Sequence, residues 1–178
     1  MNYWHKMKGG GQSPPKVGLS EVVWSWVGSF LGIAAISLIH FKLLDQTSLM
    51  MIIGSFGASA VLIYGAIRSP LAQPRNLLGG HILSAFIGVT VFQWLGGEPW
   101  LAAAMAVSTS IALMHLTKTL HPPGGATALI AVIGGGTVHN LGYLYVVMPT
   151  ALGAGAMLIV ALIVNNIPKS RKYPEFWI

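Results

Sequence analysis

The chain has 178 residues, of which 54% are hydrophobic and only 8% are charged. Soluble domains carry about 25% charged residues, so this chain has too little charge to cover a soluble surface. The mean hydropathy of +0.69 and the 22 glycines are typical of closely packed transmembrane helices. Because the chain has no cysteine, disulfides, Cys-ligated zinc, iron–sulfur clusters and thiol catalysis are all excluded.

The formal net charge of +6 does not indicate a nucleic-acid-binding protein, because the 10 Lys and Arg residues never form a long run. Positive residues collect on the cytoplasmic side of membrane proteins, and this tendency explains their placement better. We therefore expect a lipid bilayer as partner, with no nucleic acid and no cofactor.

The amino-terminal residues 1–20 are polar, basic and rich in Gly and Pro, and they lack the apolar core of a signal peptide. We expect this segment to be a cytoplasmic tail at the start of the mature protein.

Charged residues divide the rest of the chain into apolar segments. Uncharged stretches of 20, 22, 22 and 19 residues lie between Glu21 and Lys42, Asp45 and Arg68, Arg75 and Glu98, and Glu98 and Lys118. A further 50 uncharged residues, 119–168, divide at the triple glycine 134–136. Since a spanning helix needs about 20 residues, we predict six segments in one transmembrane domain, residues 21–168, followed by a cytoplasmic tail, residues 169–178.

The distribution of positive charge favours six crossings over four. If all six segments cross and the amino terminus is cytoplasmic, Lys42 lies outside and the other nine Lys and Arg residues lie inside. If segments two and five are surface loops, Arg68, Arg75 and Lys118 join Lys42 outside, which leaves six against four. Six segments with both termini cytoplasmic agree better with the positive-inside rule.

Segments two and five are each interrupted near the middle. In segment five, His121-Pro122-Pro123 predicts a helix start, because proline fits a first turn, and the triple glycine predicts the end. About 12 helical residues span about 18 Å, against a hydrocarbon core of about 30 Å. In segment two, an apolar leg at 49–53 and a break at 54–57 precede a predicted helix over 58–67. We predict two half-helices that begin near the middle of the membrane.

Three short matches between the halves of the chain occur in the same order and indicate an internal repeat. They pair residues 35–40 with 110–115, 57–62 with 125–130, and 76–86 with 140–152. An odd number of segments per repeat makes the two copies face opposite ways, as in many transporters. The predicted fold is an all-α integral membrane protein with an inverted repeat of three segments each, over about 21–97 and 98–168.

The motif from His121 to Ala128 resembles the signature of the HPP family of small integral membrane proteins, and the family's length and hydropathy resemble residues 20–168. The resemblance implies nitrite transport, a role assigned to plastid and cyanobacterial members. Family members are described as four-span proteins, which agrees with six segments if the half-helices are not counted. Without a plastid transit segment or an appended soluble domain, we expect a bacterial or cyanobacterial plasma membrane.

The starts of the two half-helices form the predicted anion site. Unpaired N–H groups and the positive ends of helix dipoles attract anions, and glycine permits a close approach. The predicted substrate-binding residues are His121, Pro122, Pro123, Gly124, Gly125, Ala126 and Thr127 in segment five, and Gly57, Ala58 and Ser59 in segment two. For the glycines, helix packing is an equal alternative, and it is the preferred reading for Gly28 and Gly32. Ser59 and Thr127 have the alternative of bonding a carbonyl one turn back.

Histidine is the expected proton carrier, because the apolar segments contain no Asp or Glu. We predict that His121, helped by His115, couples anion movement to protons. The alternative for His121 is a ring that bonds a carbonyl and fixes the turn. His81 and His139 are predicted to lie near segment ends, where an interfacial hydrogen bond explains them.

Three classes of function compete: a transporter or channel for a small anion, an intramembrane enzyme, and a non-transporting membrane subunit. An enzyme is disfavoured, because there is no thiol, no intramembrane carboxylate and no metal-binding pair of His such as HExxH. We predict a transporter or channel for a small inorganic anion, foremost nitrite, with no catalytic residue and no metal. Another small anion or a neutral solute is the alternative substrate, and we expect a homo-oligomer.

Overall fold

The computed structural model describes residues 3–178, which form helices and no strands. Four helices are long and apolar enough to cross a membrane, and two shorter apolar helices lie between them. In chain order the helices are α1 (Tyr3–Lys6), α2 (Leu19–Leu43), α3 (Ser55–Gly65), α4 (Pro74–Leu95), α5 (Pro99–Leu116), α6 (Pro122–Ile133), α7 (Gly135–His139) and α8 (Val146–Val164). The all-α membrane fold is confirmed, while the inverted symmetry of the two repeats stays a prediction.

The helix α6 begins and ends where the sequence predicted. It follows a non-helical stretch over 119–121 and starts with two prolines, which lack the N–H groups that a first helical turn leaves unpaired. Gly134 then ends it after 12 residues. At about 1.5 Å per residue it is a half-helix of about 18 Å.

The helix α3 begins at Ser55, three residues before the predicted start at Ala58. The N–H group of Gly57 donates to the carbonyl of Gly54 at 3.2 Å, and the N–H group of Phe56 donates to the carbonyl of Ile53 at 3.0 Å. The residues expected to form a break therefore form the first turn of the helix.

Hydrogen bonds bring four helix ends together at what we call the basic end of the bundle. Arg75, at the start of α4, donates to the carbonyl of Thr117, just after α5, at 2.8 Å. Glu21, at the start of α2, pairs with Arg171, which follows α8. The same end carries Arg68, Arg75, Lys118, Lys169, Arg171 and Lys172.

The opposite end, which we call the distal end, joins the last turns of α4 to the chain after α6. The ring of Phe92 stacks on that of His139 at 3.7 Å between centroids, and Thr90 Oγ1 lies 3.0 Å from Tyr143 Oη. The chain from Thr117 to His139 therefore runs the whole length of α4. Lys42 belongs to this end, because its neighbours His40 and Leu44 line a cleft together with Thr137. The six-segment topology itself stays a prediction.

Arg171 fastens the chain after α8 to the basic end. Its guanidinium donates to the carboxylate of Glu21 at 2.6 and 3.0 Å, to Ser25 Oγ at 2.7 Å and to Asn165 Oδ1 at 3.0 Å. Tyr173 is buried close by, and its hydroxyl donates to the carbonyl of Ala72 at 2.7 Å. Burial raises the pKa of the Tyr173 hydroxyl, which keeps it neutral as a donor.

Two glycines of α2 receive the ring of Tyr64 from α3. A Cβ atom added at Gly28 would lie 2.7 Å from Tyr64 Cδ1, and one at Gly32 would overlap the Tyr64 hydroxyl. That hydroxyl donates to the carbonyl of Met157 in α8 at 2.9 Å. The helix contact predicted for Gly28 and Gly32 is confirmed, and it joins α2, α3 and α8.

Gly32→Ala is expected to lower the thermal unfolding midpoint in detergent, because the added methyl group displaces Tyr64. Overpacking of this kind costs about 1–3 kcal/mol. Gly155→Ala in α8 is the matched control, since nothing lies within 4 Å of a Cβ atom added there. Equal midpoints for the two variants would contradict the Tyr64 contact.

Single cysteines in this cysteine-free chain are expected to report the six-segment topology in sealed vesicles. Cysteine at Arg68 should label with a membrane-impermeant maleimide from the same side as cysteine at Lys172, and cysteine at Glu98 from the opposite side. All three positions are exposed. Labelling of position 68 from the side opposite to position 172, with position 98 labelled from the same side as 172, would show that segment two does not cross.

Candidate functional site

Five polar side chains meet inside the apolar bundle, and we call them the histidine cluster. They are Ser55 and Ser59 of α3, His81 of α4, His121 just before α6, and Thr127 of α6. None is more than 1% exposed. Buried polar groups are tolerated when they hydrogen-bond to one another, and here they do so across three helices.

Ser59 lies between the two imidazole rings at the centre of the cluster. Its Oγ is 2.7 Å from His81 Nε2 and 2.9 Å from His121 Nε2. The other side of the His81 ring meets Thr127, with 2.7 Å between Nδ1 and Oγ1. Thr127 Oγ1 also lies 2.8 Å from Ser55 Oγ. Hydroxyl groups therefore connect both rings to the starts of both half-helices.

The backbone before α6 holds His121 in place. His121 Nδ1 donates to the carbonyl of Leu71 at 2.8 Å, and Asn76 Nδ2 donates to the carbonyl of Leu120 at 2.8 Å. The residue has extended φ and ψ angles of −139° and 105°, as a residue before proline prefers. The structure thus confirms the alternative in which the His121 ring bonds a carbonyl, and the same ring also reaches Ser59.

Two glycines allow α4 and α6 to approach closely enough for these bonds. A Cβ atom at Gly80 would lie 2.6 Å from His121 Cβ, and one at Gly124 would lie 2.8 Å from the carbonyl oxygen of Gly80. For Gly124 the packing alternative is therefore the one that the structure supports. Larger residues at either position would separate His81 from His121.

The structure brings some of the predicted site residues to the cluster and leaves others outside it. Ser59, His121 and Thr127 are in it. Gly57 and Ala58 lie on the exposed outer face of α3, and Pro122 is exposed as well. Residues 125 and 126 are half-buried, and a Cβ atom added at Gly125 would lie 3.8 Å from Val107 Cγ1 of α5. Pro123 is buried in the first turn of α6.

Two of the predicted backbone donors are already occupied. The N–H group of Gly57 bonds the carbonyl of Gly54, and that of Gly124 bonds the carbonyl of His121 at 2.8 Å. The prediction of free N–H groups at these two glycines is therefore wrong, because each closes the first turn of its own helix. The polar groups that face one another in the interior are side chains.

His81 is the residue of the cluster that the sequence-based prediction placed wrongly. It lies seven residues after Pro74, which is about 10 Å into a helix of about 33 Å, and not at an interface. A signal was present, since Gly80, Ser84 and Gly88 share a small-residue face with it at helical spacing. His139 does make the expected bond, from Nε2 to the carbonyl of Val132 at 2.9 Å, whereas His115 is exposed on α5 and is not part of the cluster.

Thr127→Val is expected to destabilise the protein, because valine keeps the shape of threonine but leaves His81 Nδ1 without its partner. An unsatisfied buried polar group costs about 1–3 kcal/mol. The control is Thr90→Val, a half-buried residue near the distal end whose hydroxyl bonds Tyr143 and not the cluster. Equilibrium unfolding in mild detergent measures both, and a Thr127→Val protein as stable as Thr90→Val would contradict the bond to His81.

Comparisons with known proteins agree with this description. A family model for the HPP transmembrane region matches residues 14–174. The chain is similar to two transmembrane proteins of Dictyostelium discoideum. One is 47% identical over 180 residues, which cover 99% of this chain and 58% of the relative. The other is 44% identical over 182 residues, which cover 99% of this chain and 64% of the relative.

The chain spans less than two thirds of the length of both relatives. No solved structure matches it. The family match covers both half-helices and the whole histidine cluster, so the chain belongs to the HPP transmembrane-region family.

Proposed function

We propose that the chain is a membrane transporter for a small inorganic anion, foremost nitrite, and that the histidine cluster is its substrate site. The observation that carries this proposal is the meeting of two half-helices around two buried histidines. Discontinuous helices that meet inside a bundle form the substrate sites of many transporters. Ionisable residues inside a membrane domain are costly and are found mostly on substrate or proton pathways.

The chemistry of the cluster favours an anion. Hydroxyl groups and imidazole N–H groups donate hydrogen bonds, and a histidine that gains a proton also supplies positive charge. The starts of α3 and α6 add the positive ends of two helix dipoles. The four acidic residues, Glu21, Asp45, Glu98 and Glu175, all lie outside this region. No carboxylate is therefore present to hold a cation.

The cluster is closed in this conformation, which favours a carrier over an open channel. Its polar atoms bond one another, so an anion has to replace some of these bonds as it enters. A cleft of about 730 Å³ at the distal end is lined by Asp45, Thr47 and Thr137 among others. A second cleft, of about 690 Å³, lies among Arg68, Lys169 and Lys172 at the basic end. Opening the cluster to one cleft at a time would move the anion across.

Positive charge at the basic end supports an anionic substrate independently of the cluster. The cleft there is also lined by Glu175 and by Arg171, which pairs with Glu21. Arg68, Lys169 and Lys172 are exposed and leave the lining with a net positive charge. Clustered positive charge raises the local concentration of anions.

The remaining predictions belong to the same proposal. We propose a homo-oligomer without enzymatic activity, in which the open outer face of α3 at Gly57 and Ala58 packs on another subunit. The basic end is proposed to face the cytoplasm. A bacterial or cyanobacterial plasma membrane stays a prediction, and the two Dictyostelium relatives are similar chains from another source.

Nitrite uptake into liposomes that contain only the purified chain tests the proposal. Protein-dependent uptake is expected, after subtraction of protein-free liposomes, because nitrous acid itself crosses lipid. Ser59→Ala should lower the uptake by at least about tenfold, since a hydrogen bond to a charged group contributes about 1.5–3 kcal/mol. Ser108→Ala is the matched control, because Ser108 is exposed on α5.

The outcomes separate the alternatives. Uptake of another anion or of a neutral solute in place of nitrite would change the substrate but keep the transporter. A folded chain that moves no small solute would be a non-transporting subunit. Equal uptake by Ser59→Ala and Ser108→Ala would place the substrate path outside the cluster.

A further inference from the structure

We propose that Ser59 links His81 and His121 into a relay that takes up one proton together with each anion. The inference rests on the proposed transport function for its role, but its structural basis is the set of hydrogen bonds itself. His121 was the predicted proton carrier; the structure adds His81 as a second carrier and Ser59 as the bridge between them.

The carbonyl of Leu71 fixes the first hydrogen of the relay. A carbonyl only accepts, so His121 Nδ1, at 2.8 Å, must carry a hydrogen. In a neutral imidazole the other nitrogen then has none, and His121 Nε2 must accept from Ser59. Ser59 has a single hydrogen, so His81 Nε2 must donate to Ser59. His81 Nδ1 is left to accept from Thr127.

The neutral cluster therefore holds its two histidines as opposite tautomers, with the hydrogen on Nδ1 of His121 and on Nε2 of His81. Every hydrogen bond in this arrangement points toward Leu71. The order follows from the number of hydrogens, since Ser59 and Thr127 each have one to give and the other acceptor near Ser59, the carbonyl of Ser55, is more distant at 3.4 Å.

The same positions of the heavy atoms accommodate one more proton. If His81 Nδ1 gains a hydrogen, it donates to Thr127 Oγ1, and the hydroxyl of Thr127 turns to Ser55 Oγ at 2.8 Å or to the carbonyl of Pro123 at 3.2 Å. Both alternative acceptors are in place. Thr127 can therefore change from donor to acceptor toward His81 without moving an atom heavier than hydrogen.

The added proton then passes between the rings through Ser59. The hydrogen on His81 Nε2 moves to Ser59 Oγ as the hydrogen of Ser59 moves to His121 Nε2. His121 becomes the imidazolium, and His81 becomes neutral again with its hydrogen on Nδ1. One proton from water is bound in total, and no heavy-atom bond is formed or broken. The carbonyl of Leu71 accepts a hydrogen bond but does not take up a proton. While it is bonded to His121 Nδ1, the added proton cannot leave through that nitrogen and stays on the relay.

The surroundings of the cluster couple the proton to an anion. Tyr145 is the other titratable side chain bonded near it, with its hydroxyl on the carbonyl of Thr127 at 3.1 Å, and the ring of Phe56 covers His81 at 5.3 Å. Among the described residues, no Lys, Arg, Asp or Glu side chain bonds a cluster atom; Arg75, nearest along α4, is directed to Thr117. An imidazolium buried without a counter-ion is costly, and so is a buried anion. Each therefore favours the entry of the other.

The tautomers can be read directly by NMR of the full chain labelled with ¹⁵N-histidine in lipid bilayers. At alkaline pH, we expect one buried histidine with its hydrogen on Nδ1 and another with its hydrogen on Nε2. The signals are assigned to His121 and His81 by their disappearance in His121→Gln and His81→Gln, respectively. Acidification with nitrite present should give an imidazolium at His121 and move the hydrogen of His81 from Nε2 to Nδ1. Two equal tautomers at alkaline pH, or a His81 that keeps its tautomer on acidification, would overturn the relay.

Flux measurements test the coupling. Wild-type liposomes held at an interior-negative potential should acidify inside as nitrite enters, with about one proton for each anion, because an anion that enters alone works against that potential at about 2.3 kcal/mol per 100 mV. His81→Gln and His121→Gln should each lose this acidification. The control is His139→Gln, at the distal end, which should retain it.

These results distinguish the relay from the transport function. Nitrite flux that is electrogenic and unchanged in His81→Gln would overturn the relay and leave the transporter in place. Absence of all flux would overturn the proposed function, while the tautomers measured by NMR would still decide whether the hydrogen order is correct. Because the NMR measurement uses the wild-type chain, a His81→Gln protein that fails to fold leaves the test intact.

Discussion

The structure depends on one constraint: a polar side chain inside an apolar bundle must find its partners within the protein. Ser59 meets this constraint for two imidazole rings at once, at 2.7 and 2.9 Å. Because hydrogen bonds tolerate little change in distance, these contacts fix α3, α4 and the start of α6 relative to one another. The carbonyl of Leu71 extends the same set of bonds to the chain that leads into α4.

The glycines make that arrangement sterically feasible, and their roles differ by position. Gly80 and Gly124 bring α4 and α6 together beside His121, and Gly28 and Gly32 admit Tyr64 between α2 and α8. Gly57 lies on an open face where nothing contacts it. Glycine content therefore indicates close packing in general, whereas only the neighbours of each glycine show whether it packs within the chain or remains available to a partner.

The ends of the bundle are held by a different kind of interaction from its centre. Charged groups, above all Arg171 with Glu21, fasten the basic end, whereas neutral hydroxyl and imidazole groups bond one another inside. A neutral network can exchange its internal bonds for bonds to a small solute at low cost, because no fixed charge has to be uncovered. Rigid ends around an exchangeable centre agree with the carrier that we propose.

The sequence by itself determined the features that depend on local chemistry. Hydropathy and charge spacing determined the membrane class and the segments; the prolines and the triple glycine determined the bounds of α6, and the His-Pro-Pro motif indicated the family. Only the tertiary structure decided which polar residues meet. His81 is separated by 22 residues from Ser59 and by 46 from Thr127, and the N–H groups of Gly57 and Gly124 are occupied by their own first turns. Such contacts depend on how the helices pack, and no spacing within one segment encodes them.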